Sequence, residues 1–267
     1  MTPMKAKKVN GAQSIERALK VLRIVAAATG TGGATLSHVV SASQLNKATA
    51  HRLLTVLTRE GLVQRHAESK VYHPGEQLYA LGIMAAPRFG LHQLAVPSLR
   101  RLATLSEDSA FLCLVSGDEI VCVHREEGSH PIRTHVLQVG IRYPLGVGSM
   151  GPVLLAAMED DEVQRILTAN RSAIERFQNY TVEKVRALIK AARAKGYCVN
   201  PGLVHPESFG IAVAVLDERD RPLGTLSIGA VASRMQTDRH AKLALALKGE
   251  AAALSKQLRV MRSKITP

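Results

Sequence analysis

Leu45-Asn46-Lys47-Ala48-Thr49-Ala50-His51-Arg52-Leu53-Leu54, continued by Thr55-Val56-Leu57-Thr58-Arg59-Glu60-Gly61, decides how the start of this chain is read. Ala50, Leu53, Leu54 and Leu57 recur at i, i+3, i+4 and i+7, the spacing of one buried helical stripe. Asn46 supplies a side-chain oxygen where the first helical N–H groups need an acceptor, and Gly61 tolerates the left-handed backbone that closes a helix. The spacing predicts a helix from Lys47 to about Glu60, about 18 Å long. Lys47, Ala48, His51, Arg52, Thr55 and Arg59 fall mostly on the opposite, polar side. A helix of that size fits the DNA major groove.

Upstream, Ser14 is expected to cap a first helix through Ile15, Ala18, Leu19, Leu22, Val25 and Ala26. Thr29-Gly30-Thr31-Gly32-Gly33 breaks it, because glycine disfavours the helix. Thr35 caps a short second helix ending near Ser41, and Ala42-Ser43-Gln44-Leu45 makes the turn into the third. Downstream, Leu62 to His66 and Lys70 to His73 alternate around Ala67-Glu68-Ser69, which reads as a two-stranded hairpin. The pattern is a winged helix-turn-helix over residues 1–75. Lys47, Thr49, His51 and Arg52 are the candidate base and phosphate contacts of its third helix. Arg65 and Lys70, with Ser69 between, are the candidate phosphate contacts of the wing.

Charge points the same way. The 267 residues carry a formal charge of +13. Residues 1–75 hold Lys5, Lys7, Lys8, Arg17, Lys20, Arg23, Lys47, Arg52, Arg59, Arg65 and Lys70 against only Glu16, Glu60 and Glu68. A small basic domain suits a polyanion, since each neutralised phosphate releases condensed counterions. With 3% aromatic residues and no Trp, stacking of single-stranded bases is not its main mode. Apolar runs such as Gly151 to Met158 are too short to span a bilayer. Three cysteines make no disulfide framework, so a reducing cytoplasm is expected. Met1 to Asn10 is basic but leads into Ser14, Glu16 and Arg17 without an apolar signal core.

The remainder alternates helical and strand-like stretches. A connector is expected over 76–93, punctuated by Gly82, Pro87 and Gly90, and a second domain over 94–267. Helical spacing covers Leu94 to Ser106, Met150 to Met158, Asp161 to Ala169, Val182 to Lys195 and roughly Thr237 to Arg262. Strands are expected at Phe111 to Val115 and Ile120 to His124 around a Gly117-Asp118 hairpin, and weakly from Ile132 to about Val139. Two more lie at Ile211 to Leu216 and Leu223 to Ile228. Antiparallel strands with grouped helices indicate an α+β domain.

Three motifs bear on chemistry. Gly146-x-Gly148-x-x-Gly151 has the letters of a dinucleotide-binding loop, which makes an enzyme of small acids the rival reading. That motif needs a buried parallel strand before it, and Arg142-Tyr143-Pro144 reads poorly as one. Two readings of the loop stay open: N–H groups that receive a carboxylate, or a glycine-rich turn permitting close packing. A two-residue Gly117-Asp118 loop places Cys113 opposite Cys122, with His124 on the face of Cys122; ordinary core thiols and a surface imidazole are preferred to a metal or redox site. Glu126-Glu127 and Glu159-Asp160-Asp161 read as solvated turns. No H-E-x-x-H or G-x-S-x-G occurs, so no catalytic residue, metal or cofactor is expected. A ligand module whose basic domain docks an acidic protein is a further alternative.

The run Thr35-Leu36-Ser37-His38-Val39-Val40, the Lys-x-Thr-x-His-Arg-Leu-Leu at 47–54 and Leu57-Thr58-Arg59-Glu60-Gly61-Leu62-Val63 resemble the DNA-binding domain of the isocitrate lyase regulator (IclR) family. Tyr143-Pro144-Leu145-Gly146-Val147-Gly148-Ser149-Met150-Gly151, Lys195-Gly196-Tyr197 and Phe209-Gly210-Ile211-Ala212-Val213 resemble its effector domain. The resemblance covers nearly the whole chain. Departures include Asn46 where Pro is frequent, Ala48 where Ser is, Asn200 where an acid is and Gly210 where Cys is. It implies a curved antiparallel sheet bearing a small-molecule pocket, with Gly148, Ser149, Met150, Gly151 and Ser227 as effector contacts. It also implies a homodimer or tetramer built through the N-terminal and connector helices, with 94–267 as an effector-binding and dimerisation domain. The expected function is a regulator binding duplex DNA at a palindromic operator, switched by a small organic acid.

Overall fold

Asn46 adopts an extended backbone and its Oδ1 accepts the Thr49 N–H at 2.8 Å, starting helix α3 (Lys47–Arg59) where the cap predicts. At the other end Gly61 takes φ 69°. Its N–H reaches the Thr58 carbonyl, and the Leu62 N–H reaches that of Leu57. This is a Schellman closure, which satisfies carbonyls the helix leaves open. Helix α2 (Leu36–Ser43) begins under the Thr35 cap, whose hydroxyl accepts the His38 N–H at 3.1 Å. It runs two residues beyond the expected end, because Gln44 rather than Ala42 takes the left-handed turn at φ 60°.

Helix α1 (Gln13–Ala27) departs from expectation: Ser14 lies inside it, and Ala12 precedes it without a side-chain cap. Val21 and Val25 are its buried residues, while Ile15 and Leu19 are exposed. Only the C-terminal half of α1 packs into the small core with Val39, Ala50, Leu54, Leu57 and Tyr72. Strands β1 (Val63–Arg65) and β2 (Tyr72–Pro74) pair antiparallel, forming the expected hairpin. Helix α4 (Glu76–Phe89) then runs through Gly82 and Pro87, and the helical path breaks only at Gly90.

The computed structural model describes residues 12–263, so Lys5, Lys7 and Lys8 lie outside the described residues. The chain divides into two units between Pro87 and Arg88. In the second, β5 (Arg142–Pro144), β4 (Glu119–Glu126), β3 (Ser109–Ser116), β8 (Pro222–Val231), β7 (Ser208–Leu216) and β6 (Cys198–His205) form one curled sheet in that order, every pair antiparallel. Successive residues serve opposite faces, the period of a strand. Phe111, Cys113 and Ala212 meet α6 (Met150–Ala156), α7 (Asp160–Ile174) and α8 (Val182–Lys195) through Leu154, Ile166 and Val185. Leu112, Ile211 and Val213 meet α5 (Leu91–Ser106) and α9 (Thr237–Ser263) through Leu99, Leu247 and Leu254. Sheet between two helical layers buries both faces.

Several expectations change. Residues 132–139 form a loop, not a strand, and β5 lies after them. The open edge of β4 is met only from residue 140 onward, where the Gly140 N–H reaches the Cys122 carbonyl and the Cys122 N–H reaches that of Ile141. Strand β6 was hidden by Asn200-Pro201-Gly202. It is an edge strand with an irregular register between Asn200 and His205, where a proline costs no ladder bond. Asp160, Asp161 and Glu162 occupy the first turn of α7, favourable to its dipole. Glu126 ends β4 and is half-buried, whereas Glu127 is exposed in the irregular segment after it and pairs with Arg133 at 2.7 Å.

Candidate nucleic-acid interface and ligand cavity

The helix-turn-helix is assembled from short-range bonds. The Ser43 hydroxyl, buried at the α2–α3 turn, accepts the Leu45 N–H at 3.3 Å, and Lys20 Nζ on α1 donates to the Ser43 carbonyl at 2.7 Å. Lys20 is thereby committed to holding the motif together. Lys47, His51 and Arg52 are exposed and make no side-chain hydrogen bond or ion pair among the described residues. Lys47 and His51 are four residues apart, so they share a face. Thr49 is half-buried beside the cap. Thr55 donates to the His51 carbonyl, and Arg59 is tied to Glu60 at 2.8 Å, which withdraws both from the polar face.

On the hairpin, the Arg65 guanidinium lies 5.5 Å from the Tyr72 ring centroid and remains exposed. Lys70 takes φ 58° and folds back, its Nζ donating to the Ala67 carbonyl at 2.5 Å. The ammonium retains two further donors. The Ser69 N–H is directed at His66 Nδ1 within the turn.

A small cavity, open to solvent, lies on the sheet face covered by α6. Gly148, Ser149, Met150 and Ser227 line it, as expected, and all four are buried. Gly151 does not line it. A Cβ there would stand 2.3 Å from the Gly146 nitrogen, so this glycine permits close backbone packing. Loop 146–151 follows a three-residue antiparallel edge strand, which is not the context of a dinucleotide site. Of its amides, the Gly148 N–H goes to the Tyr180 hydroxyl at 2.8 Å and the Gly151 N–H to the Val147 carbonyl.

Sequence reading missed Phe111, Asn200, Phe209 and the wall of Thr134, Val136 and Leu137. The Tyr180 hydroxyl donates to Asn200 Oδ1 at 3.4 Å, which also accepts the Leu203 N–H at 2.9 Å. Burial pushes the Tyr180 phenol well up, so it remains a donor. The Asn200 Nδ2 has no hydrogen bond among the described residues. Ser227 Oγ is buried without a partner. A Cβ on Gly210 would lie 3.1 Å from Ser149 Oγ, so the glycine leaves the serine room. The resemblance signalled Gly210 and Asn200 as departures, though not as wall residues.

Cys113 does face Cys122, and both are buried. Their hydrogen bond, and then burial, hold the Cys113 thiol well up. His124 does not share the Cys122 face. A β-bulge shifts the register so that His124 opposes Leu112, and its Nδ1 is 3.1 Å from His92 Nε2 on α5. Among the described residues no cluster of three His, Cys, Asp or Glu is placed to hold a metal. Among the described residues no helix is long and apolar enough to cross a membrane.

The family model described as IclR helix-turn-helix domain matches residues 14–67, and that described as bacterial transcriptional regulator IclR C-terminal matches 84–256. The HTH-type transcriptional regulator BhcR of Paracoccus denitrificans is 27% identical over 232 residues, 86% of this chain and 81% of that protein. The glycerol operon regulatory protein of Streptomyces coelicolor is 29% identical over 251 residues, covering 92% and 96%. An IclR transcriptional regulator from Alicyclobacillus acidocaldarius superposes with TM-score 0.75 at 24% identity, over 91% of this chain and 97% of that one. An IclR homologue from Microbacterium hydrocarbonoxydans, solved in complex with 4-hydroxybenzoate, gives 0.74 at 21%, over 92% and 99%. At these identities the structural likeness is one of fold.

Proposed function

The chain belongs to the IclR family of bacterial transcriptional regulators, and on that premise we propose that it binds a palindromic operator through α3 and the wing and releases or grips it according to a small organic acid in the sheet cavity. The carrying observation is the exposed polar face of Lys47, His51 and Arg52, whose side chains are unpaired among the described residues, on a capped recognition helix. Thr49 joins them in the groove, and Arg65 and Lys70 hold the phosphates alongside. The cavity at Gly148, Ser149, Met150 and Ser227 receives the effector. The carboxylate class is supported by the hydroxybenzoate complex of the Microbacterium homologue.

A dimer or tetramer reads two half-sites about 34 Å apart. Exposed Ile15 and Leu19 on α1, and Tyr79, Ile83 and Met84 on α4, favour oligomerisation through these helices, because apolar side chains of this size gain by leaving water. Residues 1–75 serve DNA, 76–93 connect, and 94–267 sense the effector, in a cytoplasmic protein without catalysis. The effector acts only by its differential affinity for the DNA-competent and incompetent states. Selection of genomic fragments by the purified protein, with excess nonspecific competitor, tests the reading. Enrichment of a two-fold-symmetric sequence is expected. Absence of any preference, with and without pooled carboxylates, would overturn it.

A further inference from the structure

No Lys, Arg, His, Asp or Glu side chain lines the cavity among the described residues. One cation stands directly behind the lining. Arg125 on β4 is opposite Phe111 on β3, and Phe111 is opposite Ser227 on β8. Directly opposed residues project to the same face of a sheet, so these three form one row. Phe111 and Ser227 line the cavity. The Arg125 guanidinium lies 5.8 Å from the Phe111 ring centroid, and its side chain is only 10% exposed.

Its hydrogen bonding is unmet on one edge, where the Glu127 carboxylate approaches Nη2 without completing a hydrogen bond. Nη1 donates to His135 Nδ1 at 3.2 Å, and the residues flanking His135, Thr134 and Val136, line the cavity. Nε and Nη2 are buried with no hydrogen-bond partner. Glu127 comes within 3.2 Å of Nη2 without hydrogen-bond geometry, and it is shared with Arg133 at 2.7 Å. One carboxylate between two guanidinium groups leaves positive charge over. Nε and Nη2 share one edge of the planar group, the fork that grips a carboxylate with two parallel bonds. Burial of such a fork is costly until an acceptor fills it. At the far end of the row, Ser227 Oγ is likewise buried without a partner. Strands lie about 4.8 Å apart, so Arg125 and Ser227 are roughly 10 Å apart at the backbone.

We infer that Arg125 is the anion anchor of this cavity. The effector is a carboxylate with an apolar body that packs on Phe111 and a distal hydroxyl or carbonyl that meets Ser227. This assignment rests on the cavity being the effector site.

The test titrates the full chain with short aliphatic and single-ring monocarboxylic acids, with and without a distal hydroxyl, each beside its primary amide. Calorimetry and thermal shift are the readouts. At least one acid is expected to bind wild type while its amide does not. Arg125→Gln should weaken that acid about 30-fold or more, as for a buried charge pair losing one partner, with Arg125→Lys in between. Ser227→Ala should erase the preference for the hydroxylated acid.

Equal binding of acid and amide, unchanged acid affinity in Arg125→Gln, or no binding by any acid overturns the anchor. Should Arg125→Gln not fold, the acid–amide comparison on wild type and Arg125→Lys still decides. Ser149→Trp, which fills the cavity, separates the two levels of inference. Acid binding lost there but kept in Arg125→Gln leaves the cavity and removes the anchor. Binding kept in both removes the cavity itself.

Discussion

The Tyr180 hydroxyl accepts the Gly148 amide proton at 2.8 Å and donates to Asn200 on the edge strand β6. One buried phenol thus ties the loop carrying Ser149 to the opposite wall of the cavity. Tyr180→Phe keeps the ring and removes both bonds, leaving a buried N–H without a partner. A loss of about 1–3 kcal/mol is expected, the usual cost of such an orphan. Urea denaturation measures it; an unchanged midpoint would mean that the loop finds another partner.

Asn46→Ala removes the side-chain acceptor of the Thr49 N–H at the start of α3. Loss of a helix cap of this kind costs about 0.5–2 kcal/mol. Because the cap lies beside the proposed DNA-contacting residues, operator affinity should fall with stability. Asn46→Asp, which retains the oxygen, should restore the melting temperature, and its failure to do so would remove the capping explanation.

Arg52 and Lys47 are distinguished by what each variant does to specificity. Arg52→Ala is expected to cost about 1–3 kcal/mol and to relax preference at one base position. Lys47→Ala should weaken all sequences alike and reduce the salt dependence of binding by about one ion. Competition against single-base operator variants at several salt concentrations resolves the two. Equal, sequence-independent losses would reassign Arg52 to the phosphates.

Arg101 on α5 grips Glu250 on α9 with bonds of 2.7 and 2.6 Å. That hydrogen bonding holds the Glu250 carboxyl below its ordinary range. A depressed folded value means the pair stabilises fully above the unfolded glutamate pKa, about 4.3, and ceases to as pH falls through the folded value. Arg101→Met should therefore lower the melting temperature at neutral pH and converge on wild type in acid. A gap independent of pH would assign its effect to packing instead.

The helix-turn-helix was legible in the sequence because its determinants are local. The Thr35 and Asn46 caps, the Gly61 closure and the Ala50–Leu54–Leu57 stripe each act within a few residues along the chain. The Cys113–Cys122 pairing was legible for the same reason, since a two-residue loop sets the register of its hairpin. Local rules failed where a distant partner intervened. Half of the α1 stripe stays outside the core, residues 132–139 form a loop against the cavity, and a bulge moves His124 to the α5 face.

The sheet cavity belongs mostly to the second class. Its walls come from residues between Phe111 and Gly229, far apart in sequence. Arg125, Phe111 and Ser227 share a row only because β3 pairs with β4 on one side and β8 on the other. Sequence alone determined the helix-turn-helix with its caps and the β3–β4 hairpin, through bonds closed within a turn or two. Tertiary pairing alone decided which buried donors and hydroxyls were left open to one another, because register between remote strands is set by burying both faces of the sheet at once.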